Sequence, residues 1–275
     1  MKKYIFTLIF LVFCIRVGAQ YTTLNAHSHN DYENEIPFWT AYNACFGSIE
    51  ADIYAVDGEL FVAHSRHEIK PERTLDALYI EPLKLCYKQN KNKAWPNSDG
   101  KLQLMIDLKT PCIPTLDILV DKLNKFPEIF DPSVNSNAVR IVITGNSPKP
   151  ADFDKYPSFI WFDGLLNQTY TPEQLERVAL YSMPWSVAKG KAMTTDDQKK
   201  IENMIFTVHK SGKKIRFWAA EDHPEAWRML MKLKVDFINT DKINELAEFL
   251  NNSQEQMSQS VRSRNDLSEK QFVQR

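Results

Sequence analysis

Residues 48–64, SIEADIYAVDGELFVAH, contain the pattern on which the fold reading turns. Apolar Ile49, Ala51 and Ile53 alternate with Glu50 and Asp52. A strand's period of two therefore sets both carboxylates on one face and the apolar residues on the other. Asp57-Gly58 then supplies a tight two-residue turn, so ELFVAH reads as a short hairpin extension of the same strand. Working outward, seven more runs look like buried strands: TTLNAH, LQLMIDLK, AVRIVIT, FIWFDG, VALYSM, KIRFWAA and VDFINT. Among the spacers, PTLDILVDKLNKF, TTDDQKKIENMIFTVHKSGK, HPEAWRMLMKLK and KINELAEFLN carry apolar residues at helical spacing, and several open with Thr, Asp or Pro. Eight strands alternating with helices predict an α/β fold with a parallel sheet, a TIM-type (β/α)8 barrel over residues 20–250. A doubly wound open sheet is the architectural alternative.

The 275-residue chain is long enough to bury a sizeable core. Its 34 Lys and Arg balance 35 Asp and Glu, so no basic field exists to hold nucleic acid or an anionic membrane surface. The opening, MKKYIFTLIFLVFCIRVGAQ, has two lysines, an apolar run from Tyr4 to Ile15 and small residues before Ala19. This predicts a signal peptide over residues 1–19 and export to a periplasmic or extracellular location. The run is shorter than the roughly 20 residues a membrane span needs, so no span is expected after cleavage. Beyond the signal stand Cys45, Cys86 and Cys112, an odd set without CxxC spacing, which indicates neither a zinc knuckle nor a disulfide framework. From Asn251 to Arg275 the sequence turns polar and rich in Ser and Gln, predicting a disordered tail.

In such a barrel the chemistry sits at the C-terminal strand ends, where ionisable residues are otherwise unexpected. The first strand ends in His27, Ser28, His29, Asn30 and Asp31; the second carries Glu50 and Asp52; the hairpin extension ends at His64; the third ends with Asp107 and Lys109. Two carboxylates side by side on an inward face repel unless a proton or a cation lies between them. With Asp107 arriving from the next strand, Glu50, Asp52 and Asp107 form a candidate metal site, and oxygen-only ligation selects Mg²⁺ or Ca²⁺ over zinc. A solvated strand end with salt bridges is the bland alternative for the carboxylates, and an intrastrand ion pair for Asp107 and Lys109. The histidines are candidate acid/base groups because imidazole titrates near neutral pH.

Taken in order, HSHNDYENEIPFWTAYNACFGSIEADIYAVDGELFVAH, LMIDLK and FWAAEDHPEAWRMLMKLKVDFINTD resemble the glycerophosphodiester phosphodiesterase and phosphatidylinositol-phospholipase-C-like superfamily. The likeness is strongest to the branch containing the fungal altered-inheritance-of-mitochondria proteins, and it spans most of residues 22–250. It implies a TIM-type barrel with one divalent cation on Glu50, Asp52 and Asp107. The family's two catalytic histidines fall on His27 and His64, its phosphate-facing lysine on Lys109, and an aromatic position near the substrate on Trp218. The sequence departs from the family where Ser28 and His29 replace the usual Arg-Gly, where Asp107 replaces Glu, and where the loop before Glu33-Asn34 is shorter.

The expected activity is therefore metal-dependent hydrolysis of a glycerophosphodiester or related lipid-derived phosphodiester, a reaction of lipid metabolism. In it His27 and His64 exchange protons, and His29 orients His27, contacts the phosphate or serves in its stead. Two rivals come from other classes. His27-x-His29 also opens the metal sites of amidohydrolases and histidinol-phosphatase-like enzymes, which gather further histidines, here His223, around zinc. The other rival is a binding barrel without turnover.

Overall fold

The computed structural model describes residues 21–187 and 191–254. The expected signal peptide, and the expected tail from 255 onward, lie outside the described residues. Nine strands form one sheet: β1 (Ala26–Ser28), β2 (Ser48–Val56), β3 (Glu59–Val62), β4 (Gln103–Leu108), β5 (Arg140–Gly145), β6 (Ile160–Gly164), β7 (Val178–Pro184), β8 (Lys214–Trp218) and β9 (Ile238–Thr240). The order runs β8-β7-β6-β5-β4-β2-β1-β9, all parallel, and a parallel bridge between Arg216 and Phe237 joins its two ends. The sheet is thus a closed eight-stranded barrel among the described residues, not an open doubly wound sheet. β3 stands off this path, antiparallel to β2, and Asp57 and Gly58 take φ of 50° and 81° at the turn, as the Asp-Gly pair requires.

Two boundaries differ from expectation. Thr22 to Asn25 form a capped 3₁₀ turn, in which Thr22 and Asn25 bond each other's backbone, so the first strand starts only at Ala26. At the other end, the last helix covers 243–254 and overrides the expected start of the tail at Asn251. Ile243, Leu246 and Leu250 bury its apolar stripe, and Gln254 Nε2 donates to Tyr21 O.

Ile49, Ala51 and Ile53 are fully buried, in one continuous core with the buried residues of the helices. Leu116, Leu119 and Leu123 come from Cys112–Leu123, and Ile201, Ile205 and Val208 from Thr195–Lys210. This is the helical spacing that the sequence shows. The opposite strand faces line the barrel in layers, because every second residue points inward. Met105, Val142, Leu180 and Phe237 form a separate apolar plug. Two residues further along their strands stand Asp107, Thr144, Ser182 and Asn239. The mouth above the plug is therefore polar on β4, β5, β7 and β9, and β1, β2 and β8 add His27, Glu50, Asp52 and Arg216. Cys45, Cys86 and Cys112 are free thiols.

Candidate active site

Parallel register aligns Asp52 with Asp107 and Asp107 with Thr144, which brings carboxylates from β2 and β4 to one level. Glu50, Asp52 and Asp107 each offer an oxygen, all within 4.8 Å of one another, so the predicted ligand set is assembled in space. Lys109 Nζ donates to Asp107 Oδ2 and Asp52 Oδ2, both at 2.8 Å. The ion pair read as the bland alternative thus exists, but it spans two strands and sits inside the acidic cluster. Burial would lower the Lys109 pKa, yet the two carboxylates outweigh it and hold the ammonium charged. Burial dominates at Asp52, whose carboxyl is pushed up to about 6 despite Lys109.

The three carboxylates fit a hard cation on two observations. Asp52 Oδ1 is buried without a hydrogen-bond partner, the one such side-chain atom among the described residues, in a structure where buried polar atoms are normally satisfied. Beside Asp107, Gly145 has φ of 72°, and a β-carbon there would lie 1.9 Å from Asp107 Oδ1. A residue without a side chain thus keeps the space around the third ligand open.

His27 is fully buried. Its Nδ1 lies 2.8 Å from Ser48 Oγ and its Nε2 2.7 Å from Glu50 Oε2. Arg216 Nη1 bonds His27 Nε2 and Glu50 Oε2 together, with Nε donating to Ser182 Oγ. Both imidazole nitrogens are engaged, and burial and the adjacent guanidinium hold the ring neutral, well below the ordinary histidine pKa. Burial would raise Glu50, but Arg216 and His27 keep it far below the usual carboxylate range.

His29 stands two residues on, so it shares a face with His27, one level nearer the mouth. Its backbone N–H donates to Thr240 O at 3.0 Å, extending the β1–β9 pairing, and its Nδ1 lies 2.7 Å from Asp241 Oδ1. Nε2 has no partner among the described residues. Burial pulls its pKa down, but Asp241 and, more weakly, Glu50 raise it above the ordinary value.

His64 follows β3 and is 56% exposed at its side chain, with Nδ1 3.3 Å from Tyr32 OH and 3.8 Å from Asp52 Oδ2. Tyr32 OH donates to Asp52 Oδ2 at 2.8 Å, tying the histidine's loop to the carboxylate cluster. Trp218 ends β8, two residues beyond Arg216 on the same face, and is 43% exposed. His223 lies elsewhere: it caps the helix Pro224–Lys232 between Glu221 and Glu225, each at 3.0 Å.

Arg216, Asp241 and Tyr32 are absent from the sequence-derived site. Arg216 had a readable signal, a charged residue between Ile215 and Phe217 at an inward position of a buried strand. Asp241 and Tyr32 had none, because only the closure of β9 against β1 and the 3₁₀ turn Asp31–Glu33 bring them to the histidines.

The fold and site thus define a closed parallel (β/α)8 barrel with an acidic cluster and partly exposed imidazoles at its C-terminal mouth. The sequence profile described as the AIM6-like phosphodiesterase domain matches residues 16–155. The chain belongs to that family. Among curated relatives, it is 26% identical to the altered inheritance of mitochondria protein 6 homolog of Arthroderma benhamiae, over 79% of this chain and 81% of that one. It is also 26% identical to the corresponding Eremothecium gossypii protein, over 81% and 68%. Similar solved structures include a glycerophosphodiester phosphodiesterase from Parabacteroides distasonis, with TM-score 0.49, 14% identity and 83% and 97% coverage. Another is an Oleispira antarctica phosphodiesterase in complex with the product sn-glycerol-3-phosphate, with TM-score 0.47, 11% identity and 82% and 95% coverage.

Proposed function

We propose that this protein is a metal-dependent phosphoric diester hydrolase acting on a glycerophosphodiester or a related lipid-derived phosphodiester. The observation that carries the reading is the convergence of Glu50, Asp52 and Asp107 within 4.8 Å beside two partly exposed histidines. A divalent cation held by these carboxylates, Mg²⁺ or Ca²⁺ by their all-oxygen chemistry, would offset negative charge developing on the phosphoryl oxygens. Lys109, fixed between Asp52 and Asp107, places a permanent positive charge beside the same oxygens.

Proton transfer falls to the imidazoles with a free nitrogen. Asp241 holds His29 Nδ1 and leaves Nε2 to take a proton from the attacking water or a neighbouring substrate hydroxyl, while the carboxylate stabilises the imidazolium that forms. His64 donates to the departing alkoxide. His27 leaves the acid/base pair for a structural role, in which it and Arg216 fix the carboxylate of Glu50. This allocation replaces the preference for His27 over His29 that motif position alone gives. Trp218 at the rim offers an aromatic surface to the substrate's organic part. The apolar run from Tyr4 to Ile15 supports action outside the cytoplasm.

The roles are tested by alanine substitution at His29 and at His64, and glutamine at His27, with turnover of an alkyl phosphodiester followed by ³¹P NMR. His29→Ala and His64→Ala should each lose roughly 10²-fold or more, the usual worth of a positioned acid or base. A folded His29→Ala with full activity would end the assignment.

A further inference from the structure

The two ends of the barrel treat the cations on their inward strand faces differently, and at the N-terminal end these are a half-buried Arg140 and an exposed Lys214. At the C-terminal mouth, Lys109 is bonded to Asp52 and Asp107, and Arg216 to Glu50. At the N-terminal mouth, Arg140 of β5 stands two residues below Val142, and Lys214 of β8 two below Arg216. Both share the inward faces of their strands. Neither side chain has a carboxylate or other hydrogen-bond acceptor among the described residues. Each instead rests on an aromatic ring, Arg140 at 5.1 Å from the Trp161 centroid and Lys214 at 4.7 Å from that of Phe237.

Ring faces attract the cations but accept none of their N–H bonds in line. Those donors open into a cavity of about 440 Å³ lined by Lys101, Arg140, Lys214, Gln103, Phe237 and Asp99, among others. The nearby acids are committed elsewhere. Asp99 is paired with Lys93 at 3.1 Å, and Asp236 Oδ2 accepts from Ile215 N and bonds His209 Nε2. Burial of its stem and the neighbouring guanidinium lower the pKa of Lys214, and the charge of Asp236 offsets them only in part.

We propose that this N-terminal mouth is an anion site for a phosphoryl dianion, with the guanidinium fork of Arg140 and the ammonium groups of Lys214 and Lys101 as its donors. A fork and point charges at the edge of a low-dielectric barrel suit a compact, doubly charged tetrahedral anion. The plug of Met105, Val142, Leu180 and Phe237 separates the site from the carboxylate mouth, so it stands whether or not the reaction proposed above is right. The dianion can come from a soluble phosphomonoester, free phosphate or a monoester lipid headgroup.

Isothermal titration of the full chain in chelator, with inorganic phosphate and then glycerol phosphate, addresses the soluble sources. Sedimentation with phosphatidic acid vesicles, against phosphatidylcholine vesicles, addresses the lipid. We expect binding in at least one arm that weakens at least tenfold in Arg140→Gln/Lys214→Gln and severalfold in Lys101→Glu, whose exposed position keeps the fold intact. Phosphodiester turnover should be unchanged in both variants. Binding only in the soluble arm assigns a metabolite, and binding only to phosphatidic acid assigns a membrane headgroup. No binding in any arm, or binding as strong in Lys101→Glu and the double variant as in the parent, overturns the proposal.

Discussion

Replacing Gly145 with alanine isolates the metal-site geometry from general stability. The new β-carbon would meet Asp107 Oδ1 at 1.9 Å and Leu108 O at 2.8 Å, against 3.4 Å for ordinary contact. The carboxylate must therefore retreat by about 1.5 Å, well beyond the roughly 0.2 Å within which ligand distances are held in a working metal site. Gly145 also sits at φ of 72°, where alanine costs about 1–2 kcal/mol. For a domain of this size that lowers Tm by roughly 2–8 °C. Gly58→Ala is the matched control: φ is 81°, and a β-carbon there meets nothing within 4 Å. Calorimetry should find the backbone cost alone in Gly58→Ala and a larger Tm loss in Gly145→Ala, whose β-carbon also meets the Leu108 carbonyl. Titration of Mg²⁺ and Ca²⁺ should show binding retained in Gly58→Ala and lost, or weakened more than tenfold, in Gly145→Ala. Equal cation affinity in the two would refute the claim that Asp107 is a ligand in the position seen.

Asp241→Asn should reduce kcat by about 10²-fold with little change in KM. Because Asp241 raises the His29 pKa, and the base works only when neutral, the acidic limb of kcat/KM should move to lower pH in this variant; an unmoved limb excludes His29 as the titrating base. His27 gives a stability signature of opposite origin. Its folded pKa lies below the ordinary value of about 6.5, so burying it neutral contributes stability above that pH that drains away as pH falls towards the folded value. His27→Gln should accordingly flatten the decline in Tm between about pH 7 and pH 4.5, and a profile parallel to the parent would contradict the buried, neutral assignment. His64→Ala should cost turnover of alkyl diesters about 10²-fold or more yet largely spare a p-nitrophenyl diester, whose leaving group needs no proton. Equal losses on both would remove it as general acid.

The alternation in residues 48–56 is legible because a strand's two faces differ so sharply in what they tolerate: Ile49, Ala51 and Ile53 fill the core while Glu50 and Asp52 face the mouth. Asp57-Gly58 fixes the hairpin for an equally local reason, positive φ at both residues. The carboxylate trio was readable because it needs only strand period and parallel order. The different surroundings of His27 and His29 were not. They depend on which imidazole Arg216 reaches from β8 and which Asp241 reaches after β9, contacts 189 and 212 residues away in the chain. The first strand read too long because Thr22 to Asn25 have extended-looking composition, while the Thr22–Asn25 cap favours a turn. The last helix read too short because Gln254 gains its tie to Tyr21 only in the folded chain.

The central claim is that the cluster of Glu50, Asp52 and Asp107 makes this barrel a metal-dependent phosphodiesterase. The most direct measurement is turnover of a glycerophosphodiester by the purified protein, followed by ³¹P NMR in chelator and again after Mg²⁺, Ca²⁺ or Zn²⁺ is restored, in the parent and in Asp52→Asn. The account predicts no turnover in chelator, recovery with Mg²⁺ or Ca²⁺, and no recovery in Asp52→Asn. Chelator-insensitive hydrolysis, or recovery with Zn²⁺ alone and unimpaired by Asp52→Asn, would contradict it.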